Sequence, residues 1–306
     1  MATFRIARSC HPGGRFPPHP APENPVPDSP PSSRDARFVG SIPQVYDEHL
    51  GPLLFAGYAA DLAGRLALRT EAPSRVLELA AGTGILTREI VSRLPAGSTL
   101  VATDLNEPML SVARGKLDRA RPEVTVEWRT ADATSLPFDD GEFDAVACQF
   151  GIMFFPDKPK AAREAFRALR PGGQWLFSVW GSFDENPFGR ITHEAIAGFF
   201  EGDAPDFFRV PFGFADPRAL RALAEDAGFS GVEVTAVDRT VQTPSAEHAA
   251  TGLVKGTPGL LAIEERGGAS PDEIVRAVAD ALAGEFGDAP LRMPARTHVV
   301  SAFRPD

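Results

Sequence analysis

The chain has 306 residues, a net charge of −10 at pH 7 and an isoelectric point near 5.2. This acidic balance argues against binding long nucleic acids, whose phosphates need a basic face, and against electrostatic attachment to anionic membranes. The length suffices for one full hydrophobic core with additional covering segments. Cys10 and Cys148 are predicted not to pair, so we expect a reducing compartment and a cytoplasmic protein.

The first 37 residues differ in composition from the rest of the chain. Nine of the 29 prolines fall within residues 1–31. A segment of this kind buries too little apolar surface to offset its conformational entropy. We therefore predict a disordered tail over residues 1–37 and one folded domain over residues 38–306.

Strand and helix patterns alternate along the folded part. Residues 43–68 have helical apolar spacing with a break expected at Leu50–Pro52, and we interpret them as lid helices. Strands are then predicted over 76–79, 99–103, 124–128, 143–150, 172–180, 231–238 and 297–304. Helices are predicted over 84–94, 107–120, 158–169, 217–227 and 271–285. This alternation indicates a Rossmann-like α/β domain with a parallel sheet, and insertions at about 181–215 and 240–270 are expected to cap its top edge.

The stretch VLELAAGTGILT (76–87) combines a strand with a glycine-containing turn. Gly82 and Gly84 let the backbone approach a ligand at the carboxyl end of the sheet, beside the free N–H groups of the next helix. Asp104 follows Gly84 by 20 residues and ends the second strand, where a carboxylate can accept both ribose hydroxyls. This pattern suits any adenosine-containing cofactor.

Three features bear on which cofactor it is. Thr87 stands where a dinucleotide fingerprint has its third glycine, which argues against NAD. Glu78 would repel a pyrophosphate but suits a ligand that carries an ammonium or sulfonium charge. ALRPGGQWLF (168–177) supplies a Pro-Gly-Gly turn from a helix into the fifth strand. An NAD(P)-linked oxidoreductase and a catalytically silent cofactor-binding protein remain the alternatives.

Four segments in order carry a family resemblance: VLELAAGTGILT, VATDLNEPMLSVAR, ADATSLPFDDGEFDAVACQFGIMFFPD and ALRPGGQWLF. Together they resemble the class I S-adenosylmethionine-dependent methyltransferases, and in particular the small-molecule type that includes the ubiquinone/menaquinone-biosynthesis methyltransferases. The resemblance covers about residues 38–180, and 216–238 more loosely. It implies a doubly wound seven-stranded sheet, mostly parallel with an antiparallel last strand. It also implies S-adenosylmethionine as cofactor and methyl transfer to a small molecule by in-line displacement.

The resemblance implies that the turn after the first strand holds the methionine end of the cofactor. Glu78, Ala80, Gly82 and Gly84 are the candidate residues of this turn. Ala80 departs from the family, which has a glycine there, and we expect binding to be intact if its φ is negative. Tyr46 resembles the lid tyrosine that closes over the cofactor carboxylate.

The adenosine end is implied to lie beside the second and third strands. Asp104 would accept from the ribose hydroxyls, and Leu105 and Met109 would pack on the adenine. Asp132 and Ala133 would address the adenine edge. Alternatively, Met109 is only a core residue of an amphipathic helix, and Asp132 only a turn residue.

The acceptor end is the least defined by sequence. Gln149 and Phe150 are implied to face the cofactor and the substrate mouth, although Phe150 could equally be core. Candidate general bases are His49 in the lid helix and His193 in the cap, with a solvated helix position as the alternative for His193. The phenylalanine-rich cap suggests an apolar or aromatic acceptor, such as a quinone-like or polyketide molecule, or simply packs on the sheet. No metal-ligand spacing is present.

Overall fold

The computed structural model describes residues 34–68, 72–117, 123–202 and 204–306. Most of the tail predicted for residues 1–37 lies outside these ranges, as do Cys10 and the last part of the helix predicted over 107–120. Among the described residues, no helix is long and apolar enough to cross a bilayer.

Seven strands of the described chain form one sheet in the order β3-β2-β1-β4-β5-β7-β6. Their bounds are β1 Arg75–Glu78, β2 Thr99–Asp104, β3 Thr125–Thr130, β4 Phe143–Gln149, β5 Leu169–Trp180, β6 Ser230–Thr243 and β7 Leu291–Phe303. The pairs from β3 to β5 are parallel, whereas β7 is antiparallel to both β5 and β6. Central β1 and β4 are almost wholly buried, and each has an apolar middle, as is typical of covered parallel strands. The expected sheet, mostly parallel with an antiparallel last strand, is confirmed.

Helices flank the sheet and cap its upper edge. Their bounds are α1 Ile42–Val45, α2 Ala56–Gly64, α3 Ile85–Arg93, α4 Glu107–Lys116, α5 Lys158–Ala168, α6 Pro187–Ala197, α7 Arg209–Phe212, α8 Pro217–Asp226, α9 Ala246–Lys255, α10 Gly259–Arg266 and α11 Pro271–Phe286. Polar side chains fix several starts. Asp157 accepts from the Lys160 N–H at the start of α5, and Ser270 and Glu273 form a capping box before α11.

A π-helix over Tyr46–Phe55 joins α1 to α2. Its hydrogen bonds join residues five apart, as from the Ala56 N–H to the Gly51 carbonyl. The break expected at Leu50–Pro52 is therefore wrong, because the chain continues through the proline as a wider helix. Tertiary packing holds it there: a Cβ on Gly252 of α9 would lie 2.6 Å from a side-chain atom of this π-helix, so only glycine allows the approach.

Strand bounds differ from the predicted ones mainly at β5, β6 and β7. β6 and β7 pair from Ser230 opposite Phe303 to Thr243 opposite Leu291, so each is longer than its apolar pattern indicates. β5 begins at Leu169, which places the Pro-Gly-Gly segment inside the first part of the strand rather than before it.

The cap helices assemble above the carboxyl ends of β1, β4 and β5. α9 packs on the π-helix and on α11, and α6 also packs on α11. The lid and cap segments, remote in sequence, thus meet over one edge of the sheet, which positions the cavity described next.

Candidate functional site

The main cavity lies at the carboxyl ends of β1, β2, β4 and β5, beneath the π-helix and the cap, and has a volume of about 390 Å³. Its wall is rich in aromatic rings: Phe38, Tyr46, Phe55, Phe150, Phe154, Phe155, Trp180, Phe188, Phe207, Phe208 and Phe212. In the described part of the chain, the carboxylates that line it are those of Asp104 and Asp132. A concave, mostly apolar wall with a few placed polar groups is typical of a small-molecule site.

A second cavity of about 30 Å³ adjoins the main one beside the turn after β1. Glu78 and Thr83 line this small cavity and not the main one. Six residues line both cavities, and we call them the neck: Tyr46, Phe55, Ala80, Gly82, Gln149 and Phe150. A ligand that fills both cavities must pass through the neck.

Glu78 ends β1 and is 1% exposed. The Thr87 hydroxyl donates to its Oε2 at 2.7 Å. Burial raises the pKa of the Glu78 carboxyl to about 8, and the hydrogen bond from Thr87 only partly offsets this. Thr87 therefore has a structural role of its own, since its hydroxyl is the hydrogen-bond partner of the buried Glu78 carboxyl. Sequence reasoning predicted an ionised Glu78, whereas without a cationic partner the carboxyl is largely protonated at neutral pH.

Asp104 ends β2 and borders the main cavity. Its Oδ2 accepts from the Gly82 N–H at 2.9 Å, and its Oδ1 accepts from the Asn106 N–H at 2.8 Å. Burial raises the pKa of this carboxyl, and the same N–H donors counter the shift. Oδ2 can accept a further hydrogen bond from a ligand hydroxyl. Leu105 beside it lines the main cavity and is 57% exposed.

The turn after β1 contains two glycines with different roles and an alanine whose backbone conformation differs from the one expected. Gly82 has φ +56° and lines both cavities, whereas Gly84 lines neither and leaves room for Ala113, whose Cβ would be 2.9 Å from an added Cβ. The condition on Ala80 fails, because its φ is +52°. Alanine pays a steric penalty in this left-handed region. Its methyl group fills the space beside Gly151, where an added Cβ would lie 2.4 Å away.

Gln149 is the last residue of β4 and Phe150 follows it, and both belong to the neck. Phe150 also has a left-handed backbone, with φ +54°. Its ring stacks on Trp180, with centroids 4.3 Å apart and planes 6° from parallel. Two non-glycine residues with left-handed backbones, Ala80 and Phe150, thus occur at the neck. Backbone strain of this kind clusters at functional sites of proteins.

Tyr46 begins the π-helix and covers the neck from above. Its ring stacks on Phe55 at 4.8 Å, and Phe38 packs edge-on against it at 5.6 Å. Asn106 holds the segment that carries Phe38: its Oδ1 accepts from the Phe38 N–H, and its amide donates to the Ala36 carbonyl. Burial raises the pKa of the Tyr46 hydroxyl, which stays protonated.

Three further candidates line the main cavity near Asp104. Met109 is 3% exposed and lies under Gly82, so it belongs to the core and to the cavity wall at once. Asp132 accepts from the N–H and hydroxyl of Thr134, which makes it a turn residue as well as a lining residue. Ala133 lines the wall beside it.

Neither candidate base lines the main cavity. His49 faces α9, where its Nδ1 lies 3.1 Å from the His248 carbonyl oxygen and the two imidazoles are 4.2 Å apart. His193 stacks on Phe183 at 5.8 Å, one layer behind the wall. Burial and the charge of Arg209 lower the pKa of His193.

Sequence reasoning missed Thr83, the threonine inside the glycine turn. It is 2% exposed and lines the small cavity, and its Oγ1 has no hydrogen-bond partner among the described residues. A buried hydroxyl without a partner costs stability, and a polar group of a ligand in the small cavity could pair with it. The position of Thr83 between Gly82 and Gly84 was the sequence feature that could have identified it as a site residue.

Comparisons with known proteins match this arrangement. Residues 76–173 match the family model described as a methyltransferase domain. The chain is 37% identical over 188 residues to a demethylmenaquinone methyltransferase of Thermus thermophilus, covering 56% of this chain and 84% of that protein. It is 32% identical over 170 residues to a ubiquinone/menaquinone biosynthesis C-methyltransferase of Escherichia coli, covering 52% of this chain and 67% of that protein.

Solved structures share the fold at low sequence identity. A putative methyltransferase from Bacillus halodurans superposes with a TM-score of 0.56 at 21% identity, covering 82% of this chain and all of that one. Phosphoethanolamine N-methyltransferase 2 of Haemonchus contortus, solved with S-adenosyl-L-methionine, gives a TM-score of 0.56 at 16% identity and covers 90% of this chain and 60% of that one.

Proposed function

Since the chain belongs to the class I S-adenosylmethionine-dependent methyltransferases, we propose that it methylates a flat, apolar acceptor with an aromatic or quinone-type ring. The observation that carries this proposal is the part of the main cavity formed by β5 and the cap. Its described wall is uncharged and largely aromatic: Trp180, Phe188, Phe207, Phe208, Pro211, Phe212, Leu253 and Thr257. Such a wall stabilises a flat ring by burial and stacking but offers no partner to a charged acceptor.

The residues present fit the cofactor at both of its ends. Thr83 and Glu78 lie in the small cavity, and the unpartnered Thr83 hydroxyl and the buried Glu78 carboxyl suit the amino-acid end. Asp104 offers a free lone pair to the ribose hydroxyls, and the exposed Leu105 offers an apolar face to the adenine. Asp132 would meet the adenine edge from the next loop.

When bound, S-adenosylmethionine supplies a methyl group that is already activated as an electrophile. The chain's own task is then to bind, to orient and to exclude water. Tyr46 and Phe38 close the cavity above the neck, and the stacked Phe150 and Trp180 form the wall on which the acceptor is positioned.

No imidazole lines the described wall of the main cavity, since His49 and His193 lie outside it. The Tyr46 hydroxyl cannot serve as a base because burial raises its pKa and keeps it protonated. We therefore propose an acceptor that binds uncharged and whose reacting atom needs no histidine to remove its proton, such as an acidic ring carbon. The names of the two curated relatives concern demethylmenaquinone and ubiquinone/menaquinone biosynthesis, and from them we take only the quinone-type ring.

A turnover panel tests the proposal. The purified protein with S-adenosylmethionine is offered phenols, quinols, amines and aliphatic acids, and methylated products are followed by mass spectrometry. We expect turnover of ring-bearing apolar acceptors. Turnover confined to charged, hydrophilic acceptors would contradict the proposed wall.

A pair of variants links the activity to the wall. Phe212→Leu removes one ring from the cavity and is expected to raise the acceptor KM about fivefold with little change in cofactor Kd. Phe229→Leu is the matched control, because Phe229 is a buried ring that packs on Phe166 and Trp175 and does not line the cavity. Equal effects of the two substitutions on KM would point to general destabilisation instead.

A further inference from the structure

The side-chain amide of Gln149 has a fixed orientation. Its Nε2 donates to the backbone carbonyl of Phe55, the last residue of the π-helix, at 3.0 Å. A carbonyl oxygen can only accept, so the NH2 end of the amide must face Phe55. The Oε1 end therefore faces away from Phe55. The hydrogen bond to the Phe55 carbonyl decides which atom of the amide is nitrogen and which is oxygen.

The Oε1 atom of Gln149 is buried and has no hydrogen-bond partner among the described residues. Leaving a buried acceptor unpaired costs about 1–3 kcal/mol. Such an atom calls for an explanation, and pairing with a bound ligand is one. Gln149 is also one of the residues that line both cavities, so its free acceptor belongs to the neck.

The neck lacks any side chain that is charged at neutral pH. Tyr46, Phe55 and Phe150 contribute ring faces, Ala80 and Gly82 contribute backbone and a methyl group, and Gln149 contributes the amide. Ring faces and an amide oxygen are the uncharged groups that attract a cation. An acid here would instead form an ion pair.

We infer that Gln149 presents Oε1 to the sulfonium group of S-adenosylmethionine and its polarised methyl hydrogens, and that the Phe55 carbonyl is the positioning group that holds it there. With the amino-acid end beside Glu78 and Thr83 and the ribose beside Asp104, the sulfur of the bound cofactor would lie between the two cavities, at the neck. The inference rests on the cofactor alone and not on the proposed acceptor, so either can fail without the other.

Two ligands that differ in the sulfonium charge test this inference: S-adenosylmethionine, and S-adenosylhomocysteine, whose sulfur is neutral. Isothermal titration gives the Kd of each without any acceptor. Gln149→Met fills the same space without the amide, and it should raise the Kd of S-adenosylmethionine about tenfold and that of S-adenosylhomocysteine less than about threefold. Gln149→Glu introduces a negative charge and should move the ratio the other way, favouring the cationic ligand.

The matched control is Gln174→Met on the adjacent strand β5. Gln174 is also buried, but both ends of its amide are paired, with the Ala67 N–H, the Arg65 carbonyl and the Ser301 hydroxyl. It should lower the melting temperature and leave the ratio of the two Kd values unchanged. If Gln149→Met shifts both Kd values equally, or if Gln149→Glu fails to favour the cationic ligand, the inference is wrong. Should Gln149→Met not fold, the sign of the Gln149→Glu shift decides alone.

Discussion

The methyl group of Ala80 and the missing side chain of Gly151 are two halves of one packing arrangement. Gly151 has φ −97°, which any residue adopts, so Gly151→Ala is opposed by sterics and not by backbone conformation. The new Cβ would lie 2.4 Å from the Ala80 Cβ and 2.9 Å from the Cys148 Sγ. Overpacking of this kind typically costs about 1–3 kcal/mol, and we expect Gly151→Ala to fall in the upper half of that range.

The second substitution of the pair is Ala80→Gly. It removes the steric cost of an alanine in the left-handed region, roughly 1–2 kcal/mol, which stabilises the folded state. It also raises the conformational entropy of the unfolded chain, which destabilises the folded state by about 0.4–1 kcal/mol. Alone it should therefore change stability by about 0–1.6 kcal/mol, in the stabilising direction. In its background the closest contact of Gly151→Ala disappears, so that substitution should cost at least about 1 kcal/mol less than in the natural chain.

Urea unfolding of the ligand-free protein measures this double-mutant cycle, provided that the denaturant slope is the same for all four proteins. Gly115→Ala in α4 is the control, because an added Cβ there meets nothing within 4 Å and should be neutral or mildly stabilising in both backgrounds. If Gly151→Ala costs the same with and without Ala80→Gly, the contact with Cys148 decides the energy and the reasoning is wrong.

Three other outcomes are expected. Asp104→Ala should raise the Kd of S-adenosylmethionine at least about tenfold by titration calorimetry, since it removes charge-assisted hydrogen bonds, and an unchanged Kd would rule out the ribose assignment. Because burial raises the pKa of Glu78 to about 8 from 4.5, its contribution to the stability of the ligand-free protein is fully present below pH 4.5 and is lost as pH rises through 8. Unfolding free energies should thus fall by up to about 4 kcal/mol more between pH 5 and 8.5 in the natural chain than in Glu78→Gln, and parallel pH profiles would contradict this. Removal of residues 1–33, predicted from sequence to form most of a disordered tail, should leave the melting temperature and cofactor Kd unchanged, whereas a clear drop in either would mean that this segment docks on the domain.

Much of the sheet could be predicted because its signals are local. Buried runs such as residues 76–79 and 143–150 alternate with helical spacing, and each ends within two residues of the predicted position. The expectation of a methyltransferase over an NAD(P)-linked oxidoreductase, drawn from Glu78, Thr87 and the ordered motifs, is confirmed by the family.

The π-helix could not be predicted because its cause lies elsewhere in the chain. Pro52 lacks the N–H that an α-helical turn uses, so local rules predict a break. The wider helix packs closely against α9, where Gly252 and the C-cap Gly256 allow the approach; an added Cβ on Gly256 would lie only 3.0 Å from the Tyr46 nitrogen. Such pairing of distant glycines with a helix leaves no periodic signal.

The conformation of Ala80 and the pairing of Gln149 are hidden for a related reason. A positive φ at alanine is an exception to backbone preference, held by the surrounding contacts and invisible in the residue type. Likewise the motifs place Gln149 at the end of β4, but only the folded lid supplies the Phe55 carbonyl that orients it.

The π-helix also makes segment length a variable of the site. Tyr46 and Phe55 are nine residues apart, which is about two turns when hydrogen bonds join residues five apart, and so their rings stack. At 3.6 residues per turn the same spacing is two and a half turns, which would put the rings on opposite sides. Deletion of one residue between them would therefore rotate one ring away from the neck, a change that no point substitution makes. Insertions and deletions in this segment are thus a route by which related chains can acquire different lids over the same sheet.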